Sequence, residues 1–158
     1  MQDSGNMWFT GMVGAAFSRD LSGTNFLTKG EVVKMEKINI SVDNVSVAAE
    51  MFDTPTAGKI LEALPFESPA NVWGDEIYFD ISLRLEPEPD ARADVAVGDL
   101  AYWPAGPAFC IFFGPTPVST GDQPRAYSPV NVFGRVLGDA KLFKGVSSGS
   151  KVKVTKIN

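Results

Sequence analysis

The stretch WGDEIYFDISLRL, residues 73–85, decides the fold class because apolar and polar side chains alternate along it. From Ile77 onward every second residue is apolar, and the residues between them are mostly polar or charged. Successive side chains of a strand point to opposite faces of a sheet, so this period of two predicts a strand with one buried face. The apolar face comprises Ile77, Phe79, Ile81, Leu83 and Leu85, and the opposite face comprises Glu76, Tyr78, Asp80, Ser82 and Arg84.

Shorter segments on both sides of this stretch also predict strands. Residues 37–42 and 45–51 alternate and are separated by the turn-forming pair Asp43-Asn44, which predicts a β-hairpin. Later apolar segments are separated by turns rich in proline and glycine, and each of them predicts a further strand. These segments are residues 100–103, 109–113, 130–136 and 151–157.

One segment has the pattern of a helix. Thr54 is a suitable N-cap, and Pro55 occupies the first helical position, where proline is tolerated. Apolar residues follow at helical spacing until Pro65 ends the pattern. They are Ala57, Ile60, Leu61 and Leu64. We therefore predict a capping helix over residues 54–64, and residues 139–144 predict one short, late helical turn.

Together these elements predict a mainly β protein, a closed barrel of about eight strands with one main capping helix. The 158 residues suffice for one domain with a substantial core. Patterned sequence begins near residue 35, so we expect a flexible N-terminal extension over residues 1–34 and the barrel domain over residues 35–158. The acidic, proline-rich residues 86–94 are expected to form a solvated loop of that domain.

The net negative charge of the chain limits the classes of partner that it is expected to bind. The sequence has 14 Lys and Arg against 19 Asp and Glu, so no basic surface is expected for a nucleic acid or an anionic membrane. No segment approaches the ~20 apolar residues that cross a bilayer. We expect a cytoplasmic protein with no nucleic-acid or membrane partner, and a homodimer is compatible with the sequence.

The absence of histidine excludes several kinds of catalytic and metal site. It rules out a Ser-His-Asp triad, a Cys-His pair and histidine-ligated zinc or haem. The single cysteine, Cys110, cannot form an internal disulfide, and its apolar neighbours predict a buried, unreactive thiol. We expect neither a metal nor a cofactor, so any catalysis would depend on carboxylates, Arg, Lys, Tyr or Cys110.

Several motifs of the chain resemble those of one known family. The motifs are Trp73–Phe79, Gly98–Pro104, Phe112–Pro117, Ser128–Asn131 and the longer strand-like segment Val130–Gly138. Taken together they resemble a family of small prokaryotic cyclophilin-like proteins of unknown function, over residues 36–158. The resemblance implies an eight-stranded cyclophilin-like barrel with reduced helical decoration.

The resemblance does not extend to the residues of prolyl isomerisation. Cyclophilins that catalyse this reaction carry an arginine followed by a Phe-x-x-Gln type motif, together with a histidine or a similar group. Arg84 lies on a comparable strand, but residues 85–89 after it read LEPEP and lack the aromatic residue and the glutamine. We therefore expect no useful peptidyl-prolyl cis-trans isomerase activity, and this activity stays open only as a second alternative.

A set of aromatic and polar residues is predicted to line one groove on the barrel. These residues lie opposite or beside the core-facing sets, and binding sites combine aromatic groups with a few convergent polar ones. The predicted ligand-binding residues are Trp73, Glu76, Tyr78, Arg84, Tyr102, Trp103, Phe112 and Asn131. The alternative is that they pack beneath the helix and the long loops. Asp75 and Glu76 are adjacent, so on a strand they face opposite sides and cannot form a carboxylate pair.

Three classes of function stay open on the sequence. The first is a protein that binds a small molecule or a peptide segment in this groove. The second is a histidine-free, metal-free enzyme, for which the resemblance to barrels of carboxylase- and oxoprolinase-type enzymes implies an amide or lactam substrate. The third is a structural subunit of a larger assembly. Whether the protein is an enzyme is not decided by its sequence.

Overall fold

The computed structural model describes residues 35–158, and the N-terminal extension predicted for residues 1–34 lies outside the described residues. The described chain is mainly β, with one α-helix and one 3₁₀ helix. In chain order the elements are β1 (Lys37–Val42), β2 (Val45–Met51), α1 (Pro55–Ala63), β3 (Phe66–Pro69), β4 (Asn71–Val72), β5 (Glu76–Asp80), β6 (Arg92–Asp94), β7 (Asp99–Trp103), β8 (Ala108–Phe112), β9 (Arg125–Val136), the 3₁₀ helix Ala140–Gly145 and β10 (Lys151–Ile157).

The strands form one antiparallel sheet in the order β3-β10-β1-β2-β9-β7-β8-β5-β4, and β6 pairs with β9 beside this path. Only Ala70 separates β3 from β4 in sequence, yet these two strands lie at opposite ends of the hydrogen-bonded order. Within residues 35–158 no ladder joins β3 to β4, so the predicted closed barrel is not confirmed. The Ala70 amide donates instead to Ser150 O at 2.7 Å, and the Val72 amide donates to Ser148 Oγ at 3.1 Å.

The described strands number ten, against the eight or so predicted, because short strands were not recognised. β3, β4 and β6 contain four, two and three residues. Segments of this length are too short to show a period of two. The hairpin of β1 and β2 is confirmed in full register, from Lys37 opposite Glu50 to Val42 opposite Val45.

Helix α1 forms where its capping signals predict. The Thr54 side chain accepts a hydrogen bond from the Ala57 amide at 3.0 Å, and Pro55 is the first helical residue. Thr56, Ala57 and Ile60 are buried, so the helix covers one side of the main core. The predicted late helical turn is the 3₁₀ helix Ala140–Gly145.

The long alternation that decides the fold class is only partly a strand. β5 ends at Asp80, and residues 81–85 have no ladder partner in the described structure. The hydroxyl of the fully buried Tyr102 takes the place of that partner: it donates to Leu83 O at 2.7 Å and accepts from the Leu85 amide at 2.9 Å. The apolar side chains of residues 81–85 therefore still pack on the main core.

The central strands β7 and β8 are buried on both faces. All five residues of β8 are buried, as are the three middle residues of β7. One face belongs to the main core. The other face carries a second apolar cluster (Val95, Ala101, Ala108, Cys110, Phe112, Ala126 and Val130), hereafter the second cluster. The face opposite the main core is thus covered, and it is not the open surface that the alternation suggested.

The first half of β9 contributes to this cover. β9 spans twelve residues, and Arg125 and Val130 pair with β6, whereas residues from Asn131 onward pair with β7 and from Gly134 onward with β2. Ala126 and Val130 on this first half belong to the second cluster. Only residues 130–136 were predicted as a strand, so the segment that covers the second face was missed.

Candidate functional site

A pocket of about 200 Å³ opens where the second face of the sheet meets the first half of β9. It is lined by Trp73, Glu76, Tyr78, Trp103, Cys110, Ala126, Tyr127 and Val130. Cys110, Ala126 and Val130 also belong to the second cluster, so the pocket continues an apolar, packed region.

A tight turn between β4 and β5 places two of the lining residues. The Trp73 amide donates to Glu76 O at 2.9 Å, and the Glu76 amide donates to Trp73 O at 3.2 Å. Gly74 between them has a φ of 61°, a backbone conformation that residues other than glycine rarely adopt. The turn is therefore closed by its own backbone, and it presents Trp73 and Glu76 to the same pocket.

The loop after β8 packs on this turn and fixes it. The Asp75 amide donates to Pro115 O at 3.0 Å, and the Phe113 amide donates to Asp75 O at 2.9 Å. A Cβ atom added at Gly114 would collide with the Asp75 side chain. The Asp75 carboxylate itself lies 2.9 Å from Lys144 Nζ and does not line the pocket. The side chains of Asp75 and Glu76 therefore lie in different surroundings and do not form a carboxylate pair, as predicted from their adjacency.

Glu76 is the buried carboxyl of the pocket, with 5% of its surface exposed. Burial raises the pKa of its carboxyl from 4.5 to about 7, and hydrogen bonding with the Cys110 side chain opposes that rise. Among the described lining residues none is Lys or Arg. Near neutral pH the carboxyl is thus divided between its protonated and charged forms, and it can donate or accept a hydrogen bond.

Cys110 lies beside Glu76 on the neighbouring strand β8. In the ladder Glu76 is opposite Phe112 and Tyr78 is opposite Cys110, so Cys110 is a diagonal neighbour of Glu76 on the same face. Burial first, and then the charge of Glu76 and hydrogen bonding with it, raise the pKa of the Cys110 thiol well above its ordinary value. The thiol is therefore protonated at neutral pH, and it serves as a small, weakly polar part of the pocket lining.

Four aromatic side chains line the pocket in a connected series. The ring centroids of Tyr78 and Trp103 are 6.4 Å apart, and Tyr127 lies 6.1 Å from both Trp103 and Trp73, each pair meeting edge to face. The Trp103 indole Nε1 donates to Ser128 Oγ at 2.7 Å, which fixes its ring. Tyr127 is 72% exposed, so the series ends in a ring that stands at the rim of the pocket.

Comparisons with known proteins support the family resemblance that the sequence motifs indicate. A family model described as cyclophilin-like matches residues 36–155. The chain belongs to the cyclophilin-like family. The hypothetical protein AF2241 from Archaeoglobus fulgidus, known from its solution structure, is 38% identical to this cyclophilin-like chain. That alignment covers 82% of this chain and 100% of AF2241, with a TM-score of 0.68. The resemblance found in the sequence is therefore confirmed.

A second solved structure shares the fold at much lower identity. McbB, whose structure was determined in complex with tryptophan, is 18% identical to this cyclophilin-like chain, with a TM-score of 0.56. The alignment covers 75% of this chain and 44% of McbB. None of the curated proteins matches the chain.

The structure brings together four of the eight predicted ligand-binding residues of this cyclophilin-like domain. Trp73, Glu76, Tyr78 and Trp103 line the pocket. Tyr102 lies in the main core, and Phe112 lies in the second cluster without reaching the lining. Arg84 is exposed on the segment that follows β5 and is not among the lining residues.

Asn131 is buried in a hydrogen-bond network away from the lining. It is 1% exposed, and its Oδ1 accepts from the Glu88 amide at 2.8 Å. Its Nδ2 donates to Thr56 Oγ1 at 3.1 Å and to Glu86 O at 3.0 Å. The Glu88 carboxylate in turn accepts from the Thr56 amide at 2.9 Å. In this arrangement Asn131 connects the segment before β6, which contains Glu86 and Glu88, to helix α1.

Sequence reasoning missed four lining residues. The sequence predicts Cys110 as a core residue only, and its local pattern does not indicate Ala126, Tyr127 or Val130 as site residues. The last three lie on the first half of β9, where Pro124 and Pro129 flank a segment that reads as a turn. The usable signal was Tyr127, a large aromatic residue placed between two prolines.

Within residues 35–158 no three His, Cys, Asp or Glu side chains lie close enough together to hold a metal ion. No helix of that part of the chain is long and apolar enough to cross a membrane.

Proposed function

We propose that this cyclophilin-like domain binds a compact, largely apolar small molecule in the pocket, with a polar group of the ligand facing Glu76. One observation carries the proposal: a carboxyl that is 5% exposed lies in a cavity whose wall includes four aromatic side chains. An apolar cavity of about 150 Å³ accommodates benzene. The pocket of about 200 Å³ therefore suits a molecule of one or two small rings, or an aliphatic molecule of similar size.

The surroundings of Glu76 support a binding role over a purely structural one. A buried carboxyl with a structural role is ordinarily paired with a cation or with several backbone amides, because burying a charge without partners is costly. Glu76 has the Cys110 thiol, a weak donor, as its side-chain partner, and burial dominates its pKa. An ionisable group perturbed by desolvation in a cleft is typical of functional sites.

Binding of indole would test the proposal. The fold neighbour McbB was solved with tryptophan, and this suggests an indole ring as the first probe. We expect indole to bind the full-length chain in isothermal titration calorimetry and to raise its melting temperature. Ala126→Phe should abolish binding, because Ala126 lines the pocket and a larger side chain there fills it.

Leu142→Phe provides the matched control. It introduces the same phenylalanine side chain, but Leu142 is 53% exposed and does not line the pocket. We expect this variant to bind indole as the original chain does. Binding that survives Ala126→Phe would place the ligand elsewhere and would contradict the proposal.

A second candidate function is acid–base catalysis by Glu76. A general acid or base works best when its pKa lies near the operating pH, and burial brings the pKa of Glu76 to about 7. The amide or lactam substrate implied by the resemblance provides an oxygen or nitrogen that such a group can protonate. Glu76→Gln keeps the shape of the side chain and removes the ionisable carboxyl group. For an enzyme, this variant loses turnover while it still binds substrate.

A further inference from the structure

The charges around the pocket indicate which class of small molecule it accepts. Glu76 is the one carboxylate among its described lining residues, and no Lys or Arg accompanies it there. The other polar groups of the lining are the hydroxyls of Tyr78 and Tyr127, the indole groups of Trp73 and Trp103, and the thiol of Cys110. A ligand that carries a positive charge would thus meet one opposite charge and no like charge.

The aromatic lining favours the same class of ligand. The faces of tryptophan and tyrosine rings carry negative potential and attract ammonium groups, and the attraction is stronger when water is excluded. Tyr127 on β9 contacts both Trp73 and Trp103, so these three rings form one connected part of the lining. Tyr78 on β5 joins this series through its contact with Trp103 on β7.

We propose that the pocket selects a small organic cation, whose ammonium or alkylated ammonium group pairs with the Glu76 carboxylate among the rings of Trp73, Trp103 and Tyr127. This inference rests on the proposed small-molecule function and narrows it to one ligand class. A neutral aromatic molecule would leave the carboxylate without an opposite charge. An organic anion would be repelled by it.

The proposal also fixes the sign of the pH dependence. The titratable groups that line the pocket with Glu76 are Tyr78 from its own strand, Cys110 from β8 and Tyr127 from β9, and Asp75 pairs with Lys144 outside the pocket. A cation binds the charged form of Glu76 and therefore displaces its proton. Because burial holds the pKa of Glu76 at about 7, affinity should fall by about tenfold for each pH unit below that value.

Choline and 3,3-dimethylbutan-1-ol form a suitable pair of probes, because they have nearly the same shape and differ in charge. Calorimetric titration of the full-length chain at about pH 8 should show choline binding at least about tenfold more tightly than the alcohol, as a desolvated ion pair requires. At about pH 6 the preference should shrink. Glu76→Gln should abolish the preference and keep the affinity for the alcohol.

Asp75→Asn is the matched control, because it removes one negative charge from the neighbouring residue without touching the pocket lining. This variant should retain the preference for choline. If the alcohol or indole binds and choline shows no advantage, the cation inference is wrong and the small-molecule pocket stands. If choline keeps its advantage in Glu76→Gln, the pairing with Glu76 is wrong. If choline, the alcohol and indole all fail to bind, both proposals are overturned.

Discussion

Trp73 and Glu76 are hydrogen-bonded to each other in both directions across the turn that joins β4 to β5, at 2.9 and 3.2 Å. Their side chains form part of the same pocket. The distance between the Trp73 ring and the Glu76 carboxyl therefore depends on these two backbone hydrogen bonds and on the conformation of Gly74. A change at the turn should affect stability and ligand binding together.

Gly74→Ala tests this relationship. The alanine would have to adopt a φ near 61°, and its Cβ would lie 2.8 Å from Pro117 Cδ and 2.9 Å from Thr116 Cα. We expect a loss of about 2 kcal/mol in the free energy of unfolding, measured by urea titration, together with weaker ligand binding. Gly58→Ala is the control. Gly58 lies within helix α1 with no atom near an added Cβ, so this variant should gain about 0.5–1 kcal/mol.

Phe79→Ala and Tyr78→Ala compare the two faces of β5. Phe79 is fully buried and stacks on Phe109 at 4.9 Å, so its removal should cost about 3–5 kcal/mol. Tyr78 is half-buried against the second cluster and Trp103, so its removal should cost about 1–2 kcal/mol. Urea unfolding separates the two values. Equal costs would show that the pocket face is packed as tightly as the main core.

Asn131→Ala should lower stability without changing ligand binding. The substitution leaves the Glu88 amide and Glu86 O without the partners that Asn131 provides, and such unsatisfied buried groups cost about 1–3 kcal/mol each. Asn71→Ala, at an exposed side chain with one long bond to Tyr78 O, should change stability by less than about 0.5 kcal/mol. An indole affinity that drops in Asn131→Ala while the fold is retained would restore Asn131 to the ligand site.

The chain should not accelerate prolyl isomerisation. Arg84 is exposed and does not line the pocket, and residues 85–89 lack the aromatic residue and glutamine of the isomerase motif. We expect a protease-coupled peptide assay to give the uncatalysed rate, with an active cyclophilin as the positive control. Acceleration that disappears in Arg84→Ala would overturn this expectation.

The sequence predicts those parts of the fold that depend on local pattern. Alternation located β1, β2 and the start of β5, and Thr54 and Pro55 located helix α1. Prediction from the local pattern failed where tertiary contacts determine the conformation of the backbone. Residues 81–85 alternate like a strand, but their backbone is bonded to the Tyr102 hydroxyl instead of a neighbouring strand.

The candidate site was predicted only in part for the same reason. Glu76 and Tyr78 were placed on the correct face by alternation, whereas Tyr127 reaches the pocket through a strand whose prolines conceal it. Asn131 resembled a groove residue in sequence, but its partners Thr56 and Glu88 lie 75 and 43 residues away. No local sequence pattern reveals hydrogen bonds between residues that are so far apart in the chain.

The stability of the protein should depend on pH through Glu76. Its pKa is about 7 in the folded chain because of burial, against an ordinary value of 4.5, so the folded state binds this proton more tightly than the unfolded state. Stability should therefore fall as pH rises from about 4.5 to about 7, by an amount of about 3 kcal/mol at most. Urea unfolding at a series of pH values measures this loss.

Burial raises the pKa of Asp99 as well, which adds a loss of the same sign, so the comparison must be made against Glu76→Gln. That variant keeps the contribution of Asp99 and cannot ionise at position 76, and its stability should decrease less over the same interval. Parallel curves for the two proteins would show that the Glu76 carboxyl titrates alike in the folded and unfolded chains, and the assignment of Glu76 as the proton-exchanging group of the pocket would then fail.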